Sequence, residues 1–334
     1  MNHEEISSER VVITRRDHLE LLPWRVRAPA TAEIRVRVAY SAVSFGDVML
    51  RRHVFRRRPA VAVPGYEVVG TIDAVGAGVT GMRPGDRVAA YVEYGGNARH
   101  AIVRASDAVV LPTAVDDLHA AAVVLNYATA LGMIEAAGLH EGDRFLIHGA
   151  TGGVGSAVLD TARALGLSAM GTTRGDTGVD LFGAHLLDSR SPSLLDDVRA
   201  ASGGDVRAVF DSRAGSGLWR SRAMVGRDGT LIVFGLSSAA NRGVRAALET
   251  IASLVSLVLF RVLPRKHSAV FAIDRIYPRD PGRVRAWVAR ARDMLAAGTI
   301  APIVGATLPL ERVAEAHRLI ETVKIVGKVV LDCR

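Results

Sequence analysis

The chain has 334 residues, 49% of them hydrophobic, with a formal charge of +8 and a mean hydropathy of +0.22. That is long enough for two domains with a large core, and too apolar for a disordered chain. Its single cysteine, Cys333, excludes a disulfide framework or a cysteine-rich zinc cluster and suits a reducing cytoplasm, while the arginine-dominated charge is spread along the chain with no motif to suggest a nucleic-acid partner.

In chain order, the opening MNHEEISSER is polar and acidic and does not read as a secretory signal. Residues 10–40 alternate in strand fashion, as in Glu33 to Tyr40. Residues 61–110 hold short strands punctuated by Pro64-Gly65, Pro84-Gly85-Asp86 and Gly95-Gly96. From Leu118 to Ala137 an alanine-rich helix is expected. Strands and helices then alternate: strand 144–148, helix 154–166, strand 167–172, helix 193–201, strand 206–211, helix 216–226, strand 229–235. This pattern predicts a parallel sheet covered by helices. Amphipathic helices over 283–298 and 309–323 and a strand from Lys328 to Asp332 follow, and this tail is expected to complete the first domain. The most apolar run, Ile251 to Phe260, is too short to span a bilayer, so no stable membrane insertion is expected.

The stretch FLIHGATGGVG, Phe145 to Gly155, joins a buried strand to a helix through a glycine turn. Small residues let a backbone approach a pyrophosphate, and a helix N-terminus supplies free N–H groups and the positive end of a dipole. Ala150, Thr151, Gly152, Gly153, Val154 and Gly155 are the candidate phosphate cradle. Sites for NAD carry an acidic residue about 20 residues farther on, at the end of the second strand, for the ribose hydroxyls. Here that strand ends in Thr172-Thr173-Arg174. A guanidinium grips a 2′-phosphate that a carboxylate would repel, so Thr173 and Arg174 predict NADPH over NADH.

Several stretches together carry a family resemblance: AVSFGDVMLRR (42–52), PGYEVVGTIDAVGAGVTGMRPGDRV (64–88), NYATAL (126–131), HGATGGVG (148–155), GTLIVFG (229–235) and the terminal GKVVL. The chain resembles the medium-chain dehydrogenase/reductase superfamily, and within it the zinc-independent quinone oxidoreductases of the zeta-crystallin type, with enoyl reductase domains as near relatives. The resemblance implies an α/β protein: a GroES-like β-rich domain (1–124 with 266–334) and a Rossmann domain with a doubly wound parallel sheet (125–265). Zinc enzymes of the superfamily place cysteine and histidine where this chain has Ser44 and Tyr66. A hydroxyl and a phenol are poor substitutes for thiolate and imidazole, and the ten histidines show no ligand spacing, so no metal is expected.

The resemblance also implies Asn126, Thr129, Phe234, Gly235 and Lys328 as cofactor contacts, with Tyr127 beside the pocket. Ser44 stands where the family usually has asparagine near the nicotinamide. Asp47 is retained, with a capping role as the alternative. Phe55 stands where related enoyl reductases carry a tyrosine donor, which leaves His53 as the candidate proton donor by its pKa. The loop 51–58 holds five arginines in eight residues. It reads as an exposed solvated loop, or as a contact for an anionic or carrier-bound substrate. Asn97 to His100 departs from the family's usual residues there.

The implied activity is NADPH-dependent reduction of a quinone or an α,β-unsaturated carbonyl of a small-molecule substrate. A pathway-specific enoyl reductase or tailoring enzyme is one alternative, and a nucleotide-binding sensor or scaffold without turnover is the other. The apolar segment Leu248 to Phe260 predicts a homodimer through the nucleotide-binding domain.

Overall fold

The computed structural model describes residues 4–14, 18–52, 62–175, 178–235, 244–322 and 325–334. The chain divides into two compact units, Met1–Ala128 with Asp274–Arg334, and Thr129–Ile273.

The chain opens with β1 (Ile6–Ile13), β2 (Leu19–Val26), β3 (Glu33–Val43), α1 (Phe45–Arg51), β4 (Glu67–Val75), β5 (Arg87–Tyr91), β6 (His100–Arg104), β7 (Ala108–Val110) and α2 (Asp117–Ala137). It continues with β8 (Arg144–His148), α3 (Gly153–Ala164), β9 (Ser168–Thr173), β10 (His185–Asp188), α4 (Leu194–Ser202), β11 (Val206–Asp211), α5 (Leu218–Met224), β12 (Val225–Val233), α6 (Val244–Val262) and β13 (His267–Val270). The tail holds α7 (Ile273–Ile276), α8 (Pro281–Ala296), β14 (Val304–Pro309), α9 (Val313–Thr322) and β15 (Lys328–Asp332).

In the first unit β1 and β2 form an antiparallel hairpin. The remaining strands build a sheet in the order β14-β15-β3-β4-β5-β7, with β6 on β3, in which only the β14–β15 pair is parallel. The alternation read from Glu33 to Tyr40 is the signature of a sheet with one buried face: Ile34, Val36 and Val38 all point into the core. In the tail, β15 pairs β3 with Leu331 opposite Ser41.

In the second unit β10-β9-β8-β11-β12-β13 form a wholly parallel sheet. Phe145, Leu146 and Ile147 on its central strand are fully buried, and each contributes about 1.5–3 kcal/mol by leaving water. The core of this unit joins Leu146, Val209 and Leu231 of the sheet to Val198, Leu218 and Phe260 of its helices. The expected alternation is present, but both edge strands, β10 and β13, escaped the sequence reading. They are four residues long and half exposed, so no apolar run announces them. Among the described residues one helix, α2, is long and apolar enough to cross a membrane, but 89% of its most apolar window is buried within the protein. Such a helix, apolar on every side, belongs in a core.

Candidate active site

The glycine turn of the second unit lies at the carboxyl end of β8. Ser212 donates its hydroxyl to the His148 carbonyl (2.9 Å). Gly149 adopts φ +82°, a left-handed conformation that favours glycine. A Cβ on Gly155 would stand 2.1 Å from the Gly149 carbonyl oxygen. Hydrogen at Gly155 is therefore what lets α3 start directly on the strand end. The N-cap of α3 is Gly152, which offers no side chain to the first turn, and no acidic residue lies in that turn. The helix therefore begins without a side-chain acceptor for its free N–H groups. Ala150 is sealed beneath the turn, whereas Thr151, Gly152, Gly153 and Val154 are partly exposed.

Around this turn the sheet ends in polar side chains. Thr173 donates its hydroxyl to the Gly175 carbonyl (2.7 Å), and Arg174 beyond it is exposed. The edge strand β10 adds two residues that the sequence reading missed. Asp188 lies in register with Thr173, and Arg190 binds both oxygens of the Asp188 carboxylate (3.1 and 2.9 Å). That pairing holds the Asp188 carboxyl below the usual range. The only signal was the sequence Asp188-Ser-Arg190 closing a short apolar stretch. Phe234 and Gly235 follow β12, and a Cβ on Gly235 would stand 2.4 Å from the Ser212 carbonyl. His148, buried against the Thr172 hydroxyl (3.0 Å), has its pKa pushed down by burial.

In the first unit Ser44 caps α1. The Asp47 carboxylate accepts from the Ser44 N–H (2.8 Å), the Ser44 hydroxyl (2.9 Å) and the Gly65 N–H (2.7 Å). Asp47 has no exposed surface, and burial raises its pKa to about 6 against the lowering effect of these bonds. Tyr66 leans over Gly46, where a Cβ would meet its ring at 3.0 Å, and burial raises its phenol well above the usual value. Nearby, Lys328 is ion-paired with Glu67 and donates to the Asn126 side-chain oxygen (3.4 Å). The other Glu67 oxygen accepts the Leu125 N–H (2.9 Å). Glu67 and Lys328 are both buried. Glu67 was another omission of the sequence reading, and a lone carboxylate inside the apolar run Tyr66 to Val69 was the available signal.

The expected residues thus divide. Ala150, Thr151, Gly152, Gly153, Val154, Gly155, Thr173, Arg174, Phe234 and Gly235 are all at the carboxyl end of the parallel sheet. Lys328, expected at the cofactor, turns inward, because a buried carboxylate takes up its charge. Asp47, a catalytic candidate, is enclosed by its own hydrogen bonds, which suit it to holding the turn. Asn126, Tyr127 and Thr129 are buried on α2. Arg99 bonds Glu9 (2.7 Å), Glu311 and the carbonyl of Arg334 (2.9 Å), pinning the tail. Of the arginine loop, Arg51 and Arg52 pair with Glu321. His53, Phe55 and Arg56 to Arg58 lie outside the described residues. Among the described residues no three His, Cys, Asp or Glu side chains converge as a metal site would require.

Two family models match the chain: an alcohol dehydrogenase GroES-like domain over residues 30–113, and a zinc-binding dehydrogenase domain over residues 182–331. The quinone oxidoreductase of Rattus norvegicus is 27% identical, over 92% of this chain and 91% of its own length. A mycocerosic acid synthase-like polyketide synthase of Mycolicibacterium smegmatis is 32% identical over 95% of this chain, which spans 15% of that much longer protein. A mycobacterial protein solved in complex with NADPH superposes with a TM-score of 0.82 at 25% identity, covering 97% of this chain and 99% of that one.

Proposed function

The chain belongs to the medium-chain dehydrogenase/reductase superfamily, in its zinc-independent quinone oxidoreductase and enoyl reductase branch, and from that premise we propose that it is an NADPH-dependent reductase of a quinone or an α,β-unsaturated carbonyl. One observation carries the reading. Helix α3 starts at the carboxyl end of the central parallel strand with a glycine cap and no acceptor of its own, a ready-made seat for a diphosphate. The residues fit the cofactor: Gly155 brings the helix onto the strand, Gly152 and Gly153 leave the approach open, and the exposed Arg174, following Thr173, would hold the 2′-phosphate. Arg190 contributes by neutralising Asp188, which would otherwise oppose that phosphate.

Bound NADPH supplies a hydride. The Ser44 hydroxyl donates to Asp47 (2.9 Å) and keeps only its lone pairs free, and Tyr66 packs over Gly46, so the two residues shape this end of α1. Asp47 is a positioning residue, not a catalytic one. The Glu67–Lys328 pair holds the PGYE segment to β15 and Asn126. Quinones and enones delocalise the arriving charge themselves, so this chemistry needs no metal Lewis acid, and the final proton comes from water.

The decisive assay follows NADPH oxidation against a panel of quinones and enones. Turnover with NADPH, little with NADH, and a loss of about 1.5–3 kcal/mol of NADPH binding in Arg174→Ala, the range for a hydrogen bond to a charged group, are expected. A preference for NADH, or equal losses for both cofactors, would overturn the cofactor assignment. NADPH binding without turnover of any acceptor would leave the chain a nucleotide sensor. The polyketide synthase relative favours one narrower reading, an enoyl reductase of a biosynthetic pathway. Turnover of enoyl thioesters but not quinones would select it.

We further propose a homodimer through α6. Leu248, Ile251, Val255, Val258 and Val262 recur at heptad spacing on this helix, and all are exposed. Such a seam is stable in water only when covered. Light scattering should give twice the chain mass, and Val255→Asp with Val258→Asp should halve it. A monomer at all micromolar concentrations would refute the dimer.

A further inference from the structure

Three of the six tyrosines, Tyr66, Tyr91 and Tyr94, gather in the first unit, and Tyr66 abuts the first turn of α1. The Tyr66 ring lies 6.3 Å from that of Tyr91, stacked at 24°, and 6.5 Å from that of Tyr94, tilted at 38°. Its hydroxyl passes Gly46, where a Cβ would stand 3.2 Å from the phenol oxygen. Tyr66 is 9% exposed, whereas Tyr94 is 41% exposed and offers open aromatic surface beside it.

The neighbouring donors at this end of α1 are committed. Ser44 gives both its hydroxyl hydrogen (2.9 Å) and its N–H (2.8 Å) to Asp47, and the Gly65 N–H goes to the other Asp47 oxygen (2.7 Å). Tyr66 differs. Among the described residues its hydroxyl has no hydrogen-bond partner, and unlike the Tyr91 hydroxyl it is not sealed from solvent. A phenol with a packed ring and an unpaired hydroxyl is a donor held in place for an incoming acceptor. Burial raises its pKa well above the usual value, and the nearby carboxylates add to this, so it keeps its hydrogen at neutral pH.

We infer, on the reductase reading above, that Tyr66 is a catalytic residue whose hydroxyl donates a hydrogen bond to the carbonyl oxygen of an uncharged acceptor. As the hydride forms a C–H bond at the acceptor carbon, the displaced π pair moves onto that oxygen, and the Tyr66 O–H meets the negative charge developing there. The phenol keeps its proton, and water protonates the product. The surroundings decide the charge of the acceptor. The charged groups bearing most strongly on the three phenols are Asp274 and Glu93, with Asp47 at Tyr66, and all are acidic. Asp274 and Glu93 are exposed and have no cationic partner among the described residues. A neutral quinone or enone enters this negative field without penalty, and an anionic one is repelled.

The test uses menadione and lawsone, near-isosteric naphthoquinones of which only lawsone is an anion at neutral pH. Calorimetry on the chain without cofactor reads binding, and NADPH oxidation reads turnover. Tyr66→Phe keeps the ring and should weaken menadione about fivefold, the effect of one hydrogen bond. It should lower kcat for menadione at least about tenfold, the direction expected when a donor to a developing oxyanion is removed. Glu93→Gln combined with Asp274→Asn should raise the affinity for lawsone about fivefold relative to menadione, as befits two exposed charges. Menadione affinity or kcat unaltered in Tyr66→Phe would overturn the donor, and an unmoved lawsone-to-menadione ratio would overturn the charge selection. A wild type that binds menadione through Tyr66 yet never reduces it would overturn the reductase reading and with it the catalytic role, so the two failures are told apart.

Discussion

Helices α1 and α3 begin in opposite ways. At α1 the chain supplies its own acceptors: the Asp47 carboxylate accepts from the backbone and hydroxyl of Ser44, and its other oxygen reaches the Gly65 N–H. At α3 the cap is Gly152, and the first turn has no acidic residue. Side chains that satisfy a helix end make it rigid and sealed. Glycines that withhold side chains leave its donors and dipole to an anion from outside. The first unit extends the closed strategy to a full ion pair, Glu67 with Lys328, whereas around the seat of α3 Arg174 and the Asp188–Arg190 pair stay exposed.

The sharpest way to break this contrast is to open the closed region. Lys328→Met strands the buried Glu67 carboxylate and should cost about 3–5 kcal/mol of stability, the usual consequence of removing one partner of a buried pair. Glu67→Leu added to it should recover most of that. Urea unfolding reads both, and a loss under about 1 kcal/mol in the single variant would show that the pair is not sealed.

The converse change closes the open region. Gly152→Asp gives α3 a cap like that of α1, and a Cβ there meets nothing nearer than 3.4 Å. Stability should stay within a few tenths of a kcal/mol, since glycine is already a fair cap. NADPH affinity should fall by about 3 kcal/mol, the upper range for lost hydrogen bonds to a charged group. Unaltered NADPH binding by calorimetry would remove α3 from the site.

The mildest probe is pH. Asp47 has a folded pKa of about 6, above its unfolded value, so the folded state holds the proton more tightly. Its contribution favours folding below about pH 4 and is lost as the pH rises toward 6, a swing of up to about 3 kcal/mol at 1.36 kcal/mol per pKa unit. The amide introduced by Asp47→Asn does not titrate. The stability difference between wild type and variant should therefore shift in favour of the wild type as the pH drops from 6 to 4. A pH-independent difference would mean that Asp47 is ionised and solvated.

The cofactor turn was legible because its causes are local. An apolar strand, glycines at fixed offsets and an amphipathic helix are neighbours in sequence, and each glycine answers a steric demand within ten residues, as Gly155 answers the Gly149 carbonyl. The parallel sheet was legible for the same reason, through the alternation of its elements. The residues at the end of the second strand were legible only in part. Arg174 follows β9 directly, but Asp188 and Arg190 reach it through the lateral pairing of β10, a short edge strand without an apolar signature.

What the sequence by itself determined was the class of the fold, the strand–glycine–helix seat and the residue types at the Ser44 and Tyr66 positions. The tertiary structure alone decided which charges are spent. Lys328 and Asp47 read as functional groups along the chain, yet folding brings Lys328 to Glu67 across 261 positions and closes Gly65 onto Asp47. Charge neutralisation depends on contacts distant in sequence, and desolvation then determines whether a group supports the structure or remains available to a ligand.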